Sequence, residues 1–127
     1  MANGIALQLP WPPSVNQYWR NNRGTTILSK RGREYKKDVE GCVLCLPWSQ
    51  INRCPLKQRL QVHLTAYPPD RRKRDIDNLL KGVLDSLEKA GVYENDEQID
   101  DLHIVRGDVE KYGRILVVIE EIGATEC

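Results

Sequence analysis

The chain has 127 residues, of which 40% are hydrophobic and 29% charged, which fits one soluble globular domain over residues 1–127. No apolar run approaches the roughly 20 residues of a membrane span, and no secretory signal is visible, so we expect a cytoplasmic protein with no membrane partner. The net charge is +1, yet residues 1–60 carry ten Lys/Arg against three Asp/Glu, and residues 61–127 carry nine against fifteen. This asymmetry points to a polyanionic partner, unless the fold mixes the two halves in space.

The first half of the chain predicts a strand, a loop and a helix. Residues 5–9 alternate apolar and polar side chains and stop at Pro10, which is typical of a strand. Residues 10–26 are rich in Pro, Asn and Gly and include three aromatic residues, which predicts a long loop, and long ordered loops are usually functional. Ser29 is a good N-cap for a helix over about residues 30–46, which Pro47 ends.

The second half predicts an irregular stretch, a strand, a helix and two more strands. Residues 48–56 show no periodicity, and residues 60–66 alternate as a strand does. Residues 76–90 carry an unbroken helical stripe that Gly91 ends. Residues 99–105 and 114–119 read as strands, with 106–113 as a hairpin connection. The order β-α-β-α-β-β indicates an α/β (α+β) fold, a mixed four-stranded sheet packed with two main helices.

The four cysteines leave two interpretations open. They stand at positions 42, 45, 54 and 127, and without a secretion signal we do not expect a disulfide framework. Cys42 and Cys45 form a C-x-x-C motif that Cys54 and His63 follow, so a zinc site is one interpretation. The other is that Cys42 and Cys45 are small apolar residues of the helix. We assign His63 no role.

The segment RRKRDIDNLLKG, residues 71–82, carries the clearest chemistry. Four cations precede Asp75 and Asp77, and Lys81 follows Asp77 by four residues. A purely structural interpretation is available: Asp75 caps the helix, and Asp77 pairs with Lys81 for about 0.3 kcal/mol.

More acid is present here than capping requires. Residues 94–97 add a second acidic cluster, and we expect the short turn after Gly91 to bring Glu94, Asp96 or Glu97 near the first pair. Mg²⁺ is held by one or two carboxylates plus substrate phosphates, and a basic run attracts phosphates. The segment therefore indicates metal-assisted hydrolysis of a phosphodiester.

Two long segments resemble the RusA family of Holliday junction resolvases, which is common in prophages. They are LPWPPSVNQYWRNNRGTTILSKRGREYKKDV and PPDRRKRDIDNLLKGVLDSLEKAGVYENDEQIDDL, and with them the resemblance covers nearly the whole chain. It implies that Asp75, Asp77 and Asp96 are catalytic carboxylates that bind Mg²⁺ or Mn²⁺, and that Lys81 is catalytic near the scissile phosphate. It implies DNA contacts from two groups of residues: Arg71, Arg72, Lys73 and Arg74, and Ser14, Val15, Asn16 and Gln17. The chain departs from the family at Asn95, where an acid is common, which leaves open whether Glu94 or Glu97 assists Asp96.

The resemblance further implies a homodimer that resolves four-way DNA junctions by paired symmetric nicks, in recombination and repair. A C2 dimer would match the two-fold symmetry of such a junction. Two alternatives stay open: a non-catalytic protein that binds branched DNA, and a magnesium-dependent nuclease acting on other branched DNA. The aromatic residues at positions 11, 18 and 19 either pack in the protein or stack on DNA bases.

Overall fold

The computed structural model describes residues 4–122, so that Cys127 lies outside it. The strands are β1 (Gly4–Leu9), β2 (Trp19–Asn22), β3 (Thr25–Leu28), β4 (Leu60–Tyr67), β5 (Ile99–Arg106) and β6 (Arg114–Glu121). The helices are α1 (Val15–Tyr18), α2 (Lys30–Leu44), α3 (Trp48–Ile51) and α4 (Leu80–Lys89), with 3₁₀ turns at Ile76–Leu79 and Asp96–Gln98. Within residues 4–122, no helix is long and apolar enough to cross a membrane.

Four strands form the main sheet, in the order β1-β6-β4-β5. Strands β4 and β5 are parallel, and the other neighbouring pairs are antiparallel. Strands β2 and β3 form a separate two-stranded sheet. The predicted mixed four-stranded sheet with two main helices, α2 and α4, is confirmed.

The predicted hairpin between the last two strands is wrong, because β4 lies between β5 and β6. Burial explains the arrangement. In β6 the alternating residues Ile115, Val117 and Ile119 are fully buried, as a central strand requires, whereas β5 is mostly exposed, as suits an edge. Residues 106–113 therefore cross from one side of β4 to the other.

One face of the sheet packs against α2 and α4 to form the core. The buried residues of the sheet face are Ile5, Leu7, Leu9, Leu60, Val62, Leu64, Ala66, Ile115, Val117 and Ile119. The helices contribute Tyr35, Val39, Val43, Val83 and Leu87 to the same cluster. The period-2 and period-3.6 patterns of the sequence therefore meet in one hydrophobic layer.

The helix predicted after Ser29 is confirmed, with an earlier end. The Ser29 side chain accepts a hydrogen bond from the Gly32 backbone N at 3.0 Å, which satisfies a free donor of the first turn. The helix stops at Leu44 rather than at residue 46. A residue that precedes proline is driven out of the helical conformation, and Leu46 precedes Pro47.

The helix predicted over residues 76–90 is present in two parts. Its first turn, Ile76–Leu79, is 3₁₀, and the α-helix proper runs from Leu80 to Lys89. The stripe is confirmed where Leu79, Val83 and Leu87 are buried. Gly91 follows with φ 87°, the left-handed conformation that ends helices at glycine.

The long loop predicted over residues 10–26 contains more structure than expected. It holds the short helix α1 and the hairpin of β2 and β3, and α3 lies in the stretch 48–56 that was predicted to be irregular. The hairpin turns at Arg23 (φ 55°) and Gly24 (φ 82°), as a two-residue type I′ turn does. Arginine is not one of the residues that usually announce such a turn, so the sequence pattern did not reveal it.

Candidate active site and nucleic-acid interface

The two segments predicted to contact DNA form the walls of one cleft. The cleft has a volume of about 910 Å³. The Pro-rich segment contributes Trp11, Pro12, Pro13, Ser14 and Gln17, and the second segment contributes Pro69, Arg72, Lys73, Arg74, Asp75, Asn78 and Leu79. Arg31 at the start of α2 completes the lining. Residues about 60 positions apart in sequence therefore share one surface with an excess of positive charge.

The Pro-rich wall of the cleft is held by hydrogen bonds to its backbone carbonyl groups. The Ser14 carbonyl accepts hydrogen bonds from the Gln17 and Tyr18 backbone N atoms, at 2.9 and 2.8 Å, which forms α1. The Tyr35 hydroxyl, from α2, donates to the Pro10 carbonyl at 2.9 Å. Of the residues predicted here, Ser14 and Gln17 line the cleft, and the side chains of Val15 and Asn16 lie outside those that the structure describes.

Asp70 organises the basic run, a role that the sequence pattern did not reveal. Its carboxylate accepts the Arg72 backbone N–H at 2.9 Å and pairs with the guanidinium groups of Arg72 at 3.3 Å and Arg74 at 2.8 Å. The Arg72 backbone N–H is the main reason that the pKa of Asp70 lies below its ordinary value, and the two guanidinium groups add to the effect. Asp70 therefore stays ionised at neutral pH and holds the turn that precedes Asp75 and Asp77.

Arg74 differs from the other three cations of the run. Its side chain is only 21% exposed, and its guanidinium lies over the Trp11 ring at 5.6 Å from the centroid. Its NH1 group donates to the Asp70 and Arg72 carbonyls. Arg71, Arg72 and Lys73 are exposed. The structure thus gives Arg74 a fixed position between the two walls of the cleft, and leaves its three neighbours facing solvent.

Asp75 and Asp77 are both exposed. Neither makes the structural contact that the sequence permitted, which was a helix cap for Asp75 and an ion pair with Lys81 for Asp77. Asp75 stands at the N-cap position of the 3₁₀ turn, but its side chain caps nothing. Asp77 lies in the first turn and forms no ion pair with Lys81. No hydrogen bond or ion pair reaches either carboxylate from the residues described in 4–122. Their oxygen atoms are therefore open to ligands.

Lys81 is exposed at the start of α4, one turn after Asp77. Its ammonium group has no acidic partner within the described part of the chain. A cation that is not neutralised by its neighbours remains available to an anionic ligand.

Asp96 lies at the end of α4 that is remote from Asp75 and Asp77. Its backbone N donates to the Glu88 carboxylate at 3.0 Å, and Glu88 belongs to the last turn of α4. Strand β5 begins three residues later, beside the first residue of β4. The ten-residue helix between these points spans about 15 Å at 1.5 Å per residue.

This separation follows from the β4–α4–β5 topology. The basic run and Asp75 follow the end of β4, and the helix then returns the chain to the level at which β4 began. The expectation that the acidic turn lies near Asp75 and Asp77 is therefore wrong within a single chain. The assignment of Asp96 to the site stays a prediction.

The acidic turn also shows what Asn95 and Glu97 do. The Asn95 side chain accepts the Glu97 backbone N–H at 2.8 Å, as the N-cap residue of the 3₁₀ turn. Glu97 pairs with Arg59 at 3.2 Å. Gln98 fixes the turn from inside: its Oε1 accepts the Glu94 and Asn95 backbone N–H groups, and its Nε2 donates to the Leu56 and Gln58 carbonyls. Of Glu94 and Glu97, the two acids that could assist Asp96, Glu97 already forms an ion pair.

The residues present suit a hard divalent cation in part. Asp75 and Asp77 offer unpaired carboxylate oxygens two residues apart, and Mg²⁺ accepts one or two carboxylates plus phosphate oxygens and water. Among the described residues, no three His, Cys, Asp or Glu side chains converge to hold an ion. This holds for the zinc interpretation as well, and Cys42 is instead half-buried in α2, where burial raises the pKa of its thiol.

Comparisons of the sequence with known families and proteins agree on one family. Residues 10–120 match the family described as "Endodeoxyribonuclease RusA". The "Crossover junction endodeoxyribonuclease rusA" of Enterobacteria phage HK97 is 42% identical over 120 residues, covering 94% of this chain and 97% of that protein. The proteins of the same name from Escherichia coli K12 and Shigella sonnei are each 40% identical over 121 residues, covering 95% of this chain and 98% of theirs.

Proposed function

Since the chain belongs to the RusA family of endodeoxyribonucleases, we propose that it resolves four-way DNA junctions by hydrolysing phosphodiester bonds in opposing strands. The observation that carries the proposal is the cleft in which the exposed cations of the basic run meet the open carboxylate of Asp75. A nuclease needs both features side by side, one to hold the phosphate backbone and one to direct the hydrolysis. The same proposal places the protein in the cytoplasm, with its DNA substrate.

The walls of the cleft hold the DNA in this proposal. Arg72 and Lys73 contact phosphates, which fixes the position of the backbone without reading the sequence. Arg74 orients the run through Asp70 and Trp11. Recognition then depends mainly on the branched shape of the junction and the placement of its phosphates.

Asp75 and Asp77 would hold Mg²⁺, or Mn²⁺ with the same oxygen ligands. The ion, when bound, lowers the pKa of water and neutralises charge on the phosphate oxygens. Lys81 places its ammonium group where negative charge grows on the phosphate in the transition state. The products carry 5′-phosphate and 3′-hydroxyl ends, which can be ligated.

We also propose a homodimer in which Asp96 of a second copy completes each site. The distance of about 15 Å along α4 supports this, because one ion cannot bind carboxylates at both ends of a ten-residue helix. A two-fold dimer in which the two α4 helices run antiparallel would bring the start of one near the end of the other, twice, and so provide two sites for paired nicks.

The test compares wild type and Asp75→Asn on a labelled four-way junction in Mg²⁺ and in EDTA, with a gel-shift measurement on the same samples. We expect symmetric nicks by wild type in Mg²⁺ only. Asp75→Asn should bind the junction and cut it at least about 10²-fold more slowly, because a ligand of the ion is removed while the cations remain.

Two results would contradict the proposal in different ways. A wild type that binds the junction and leaves it intact in both Mg²⁺ and Mn²⁺ is a non-catalytic branched-DNA-binding protein. A wild type that cuts flaps or linear duplexes as fast as junctions is a nuclease of a different selectivity.

A further inference from the structure

The hairpin of β2 and β3, residues 19–28, contributes no fully buried side chain to the core among those that the structure describes. We call it the β2–β3 arm. Trp19 and Leu28 at its base are half-buried against the core, but nearly all the side chains described beyond them are exposed: Arg20, Asn21, Arg23, Thr25 and Thr26. An isolated two-stranded hairpin is marginally stable in water. Packing at Trp19 and Leu28 alone therefore does not explain why the chain forms this hairpin.

The base of the arm is fixed firmly. The Ser29 backbone N donates to the Tyr18 carbonyl at 3.0 Å, and the Ser29 hydroxyl donates to the carbonyls of Gln17 and Tyr18, which joins the two ends. Arg33 of α2 donates to the Leu28 carbonyl at 3.0 Å. The arm therefore leaves the protein in a defined direction.

The base of the arm is also hydrogen-bonded to α4, the helix that carries Lys81. The Tyr18 side chain is fully buried, and its hydroxyl lies 3.0 Å from the Asp85 carboxylate and 2.9 Å from the Ser86 hydroxyl, both on α4. Since α4 begins with Lys81 in its first turn and Gln17 lines the cleft, the position of the arm relative to the cleft is set by buried contacts.

An arginine occupies the tip in a conformation that arginine seldom adopts. Arg23 has φ 55°, and the first central position of a type I′ turn favours Asn, Asp or Gly. The guanidinium has no hydrogen-bond or ion-pair partner in the described structure. A residue in a sparsely populated backbone region, with an unpaired charge at an exposed tip, suggests a function for that side chain.

Charge around the arm favours a polyanion. The first 33 residues contain five Lys/Arg and no Asp or Glu, and the cations are Arg20, Arg23, Lys30, Arg31 and Arg33. Arg31 lines the cleft, so this positive surface continues into it. Arginine, asparagine and threonine are residues that contact DNA phosphates and sugars, and no large apolar side chain among those described is exposed at the tip to suit a protein partner.

We propose that the β2–β3 arm binds a duplex arm of the junction outside the cleft, with Arg20 and Arg23 contacting its phosphate backbone. The inference rests on the proposed function, since it takes the DNA in the cleft as given. Strands of four residues extend about 13 Å from the base, which corresponds to about four base pairs. The arm thus adds contacts to duplex DNA that the cleft residues cannot reach.

The test uses Arg23→Asn and Arg23→Lys. Asparagine favours the turn, so Arg23→Asn removes the charge without weakening the hairpin, and thermal unfolding should show a protein at least as stable as wild type. Arg23→Lys keeps the charge and is the matched control. Binding is measured by fluorescence anisotropy in EDTA over a range of salt concentrations, on junctions with long arms and on junctions trimmed to the length that the cleft covers.

On long-armed junctions we expect Arg23→Asn to bind several-fold more weakly, with the slope of log K against log salt reduced by about 0.9 for each phosphate that the variant no longer neutralises. Arg23→Lys should stay near wild type. On trimmed junctions Arg23→Asn and wild type should bind alike. Equal affinity and slope on long arms would overturn the inference, and so would an equal weakening on both junctions, which would place the effect in the cleft.

The failure of this inference is distinguishable from that of the proposed function. If wild type cuts junctions in Mg²⁺ and Arg23→Asn binds as wild type does, only the arm inference is wrong. If wild type binds but never cuts, the proposed activity is wrong, and the binding comparison still decides the role of the arm. If wild type binds no junction, both are wrong.

Discussion

Lys81 contributes little to the stability of the fold. It is exposed and forms no ion pair with Asp77, although the spacing of four residues permits one. We therefore expect Lys81→Ala to change the free energy of unfolding by less than about 0.5 kcal/mol. The same change should lower kcat for junction cleavage by roughly 10²-fold, because a preorganised positive charge is removed from the transition state.

The measurement is single-turnover cleavage together with urea denaturation of the same protein. Lys81→Arg keeps a cation at the position and should recover part of the rate. A Lys81→Ala protein that cleaves at the wild-type rate would show that Lys81 is an ordinary surface lysine.

The sequence identifies Asp75 and Asp77 as candidate metal ligands, but it does not show that their carboxylates are free of other contacts. The D-x-D spacing and the basic run are visible in the sequence, whereas an N-cap hydrogen bond depends on side-chain orientation, which no local pattern gives. The role of Asp70 could not be predicted from the sequence. Its role is a set of contacts to Arg72 and Arg74, and an isolated aspartate in a turn carries no signal of that kind.

At the scale of the element, α2 contains two glycines in different surroundings. A Cβ atom at Gly41 would meet no heavy atom within 4 Å, whereas one at Gly32 would collide with the Tyr18 carbonyl oxygen at the base of the β2–β3 arm. Alanine is the better helix former by about 0.5–1 kcal/mol. Gly41→Ala should therefore raise the free energy of unfolding by about that amount.

Gly32→Ala should lower the free energy of unfolding, by about 1–3 kcal/mol, since the backbone of α1 must move to admit the methyl group. Urea denaturation of both variants checks the pair. A gain in stability at both positions would show that α1 adjusts freely, and that the base of the arm is softer than its contacts indicate.

Local signals made the helices predictable, and their absence hid the arm and the strand order. The Ser29 cap, the stripe of α4 and Gly91 each act over a few residues, and each is confirmed. The neighbours of β5 and β6 depend instead on which strand buries more apolar surface across the whole sheet. Residues 115–119 are an unbroken apolar run, whereas β5 contains Asp100, Asp101 and His103, but neither pattern says which strand lies beside it.

At the scale of the whole molecule, cations and acids gather at opposite ends of α4. The cations of the first half reach the cleft through Arg31, next to the basic run of the second half. The acids of residues 94–101 gather at the opposite end of α4, with Arg59 bound between Glu97 and Asp100. Folding therefore separates a positive surface from a negative one, and each surface combines residues from both halves of the chain.

Because Asp75 and Asp96 lie at opposite ends of α4, two inactive variants should complement each other in a mixed dimer. Asp75→Asn and Asp96→Asn should each be inactive alone. A mixed dimer has one site with both defects and one site with neither, if each site takes Asp96 from the other copy. Mixing the two proteins after mild denaturation should therefore restore single nicks, but not paired ones, in a plasmid cruciform.

The control for that experiment is Asp75→Asn mixed with Asp77→Asn. Both changes affect the same end of α4, so in a mixed dimer each site keeps one defect and no activity should return. If the Asp75→Asn and Asp96→Asn mixture also stays inactive, Asp96 does not act across a dimer.

The position of β6 has a consequence for how the protein is made. In the described structure β1 pairs only with β6, from Gly4 opposite Glu120 to Leu9 opposite Ile115, so its partner is more than 100 residues away along the chain. Local helices form in microseconds, but pairing over such a distance is slow because a long loop must close. A ribosome must therefore deliver residues 114–121 before the backbone of β1 finds its hydrogen-bond partner, and until then β1 is an unpaired strand.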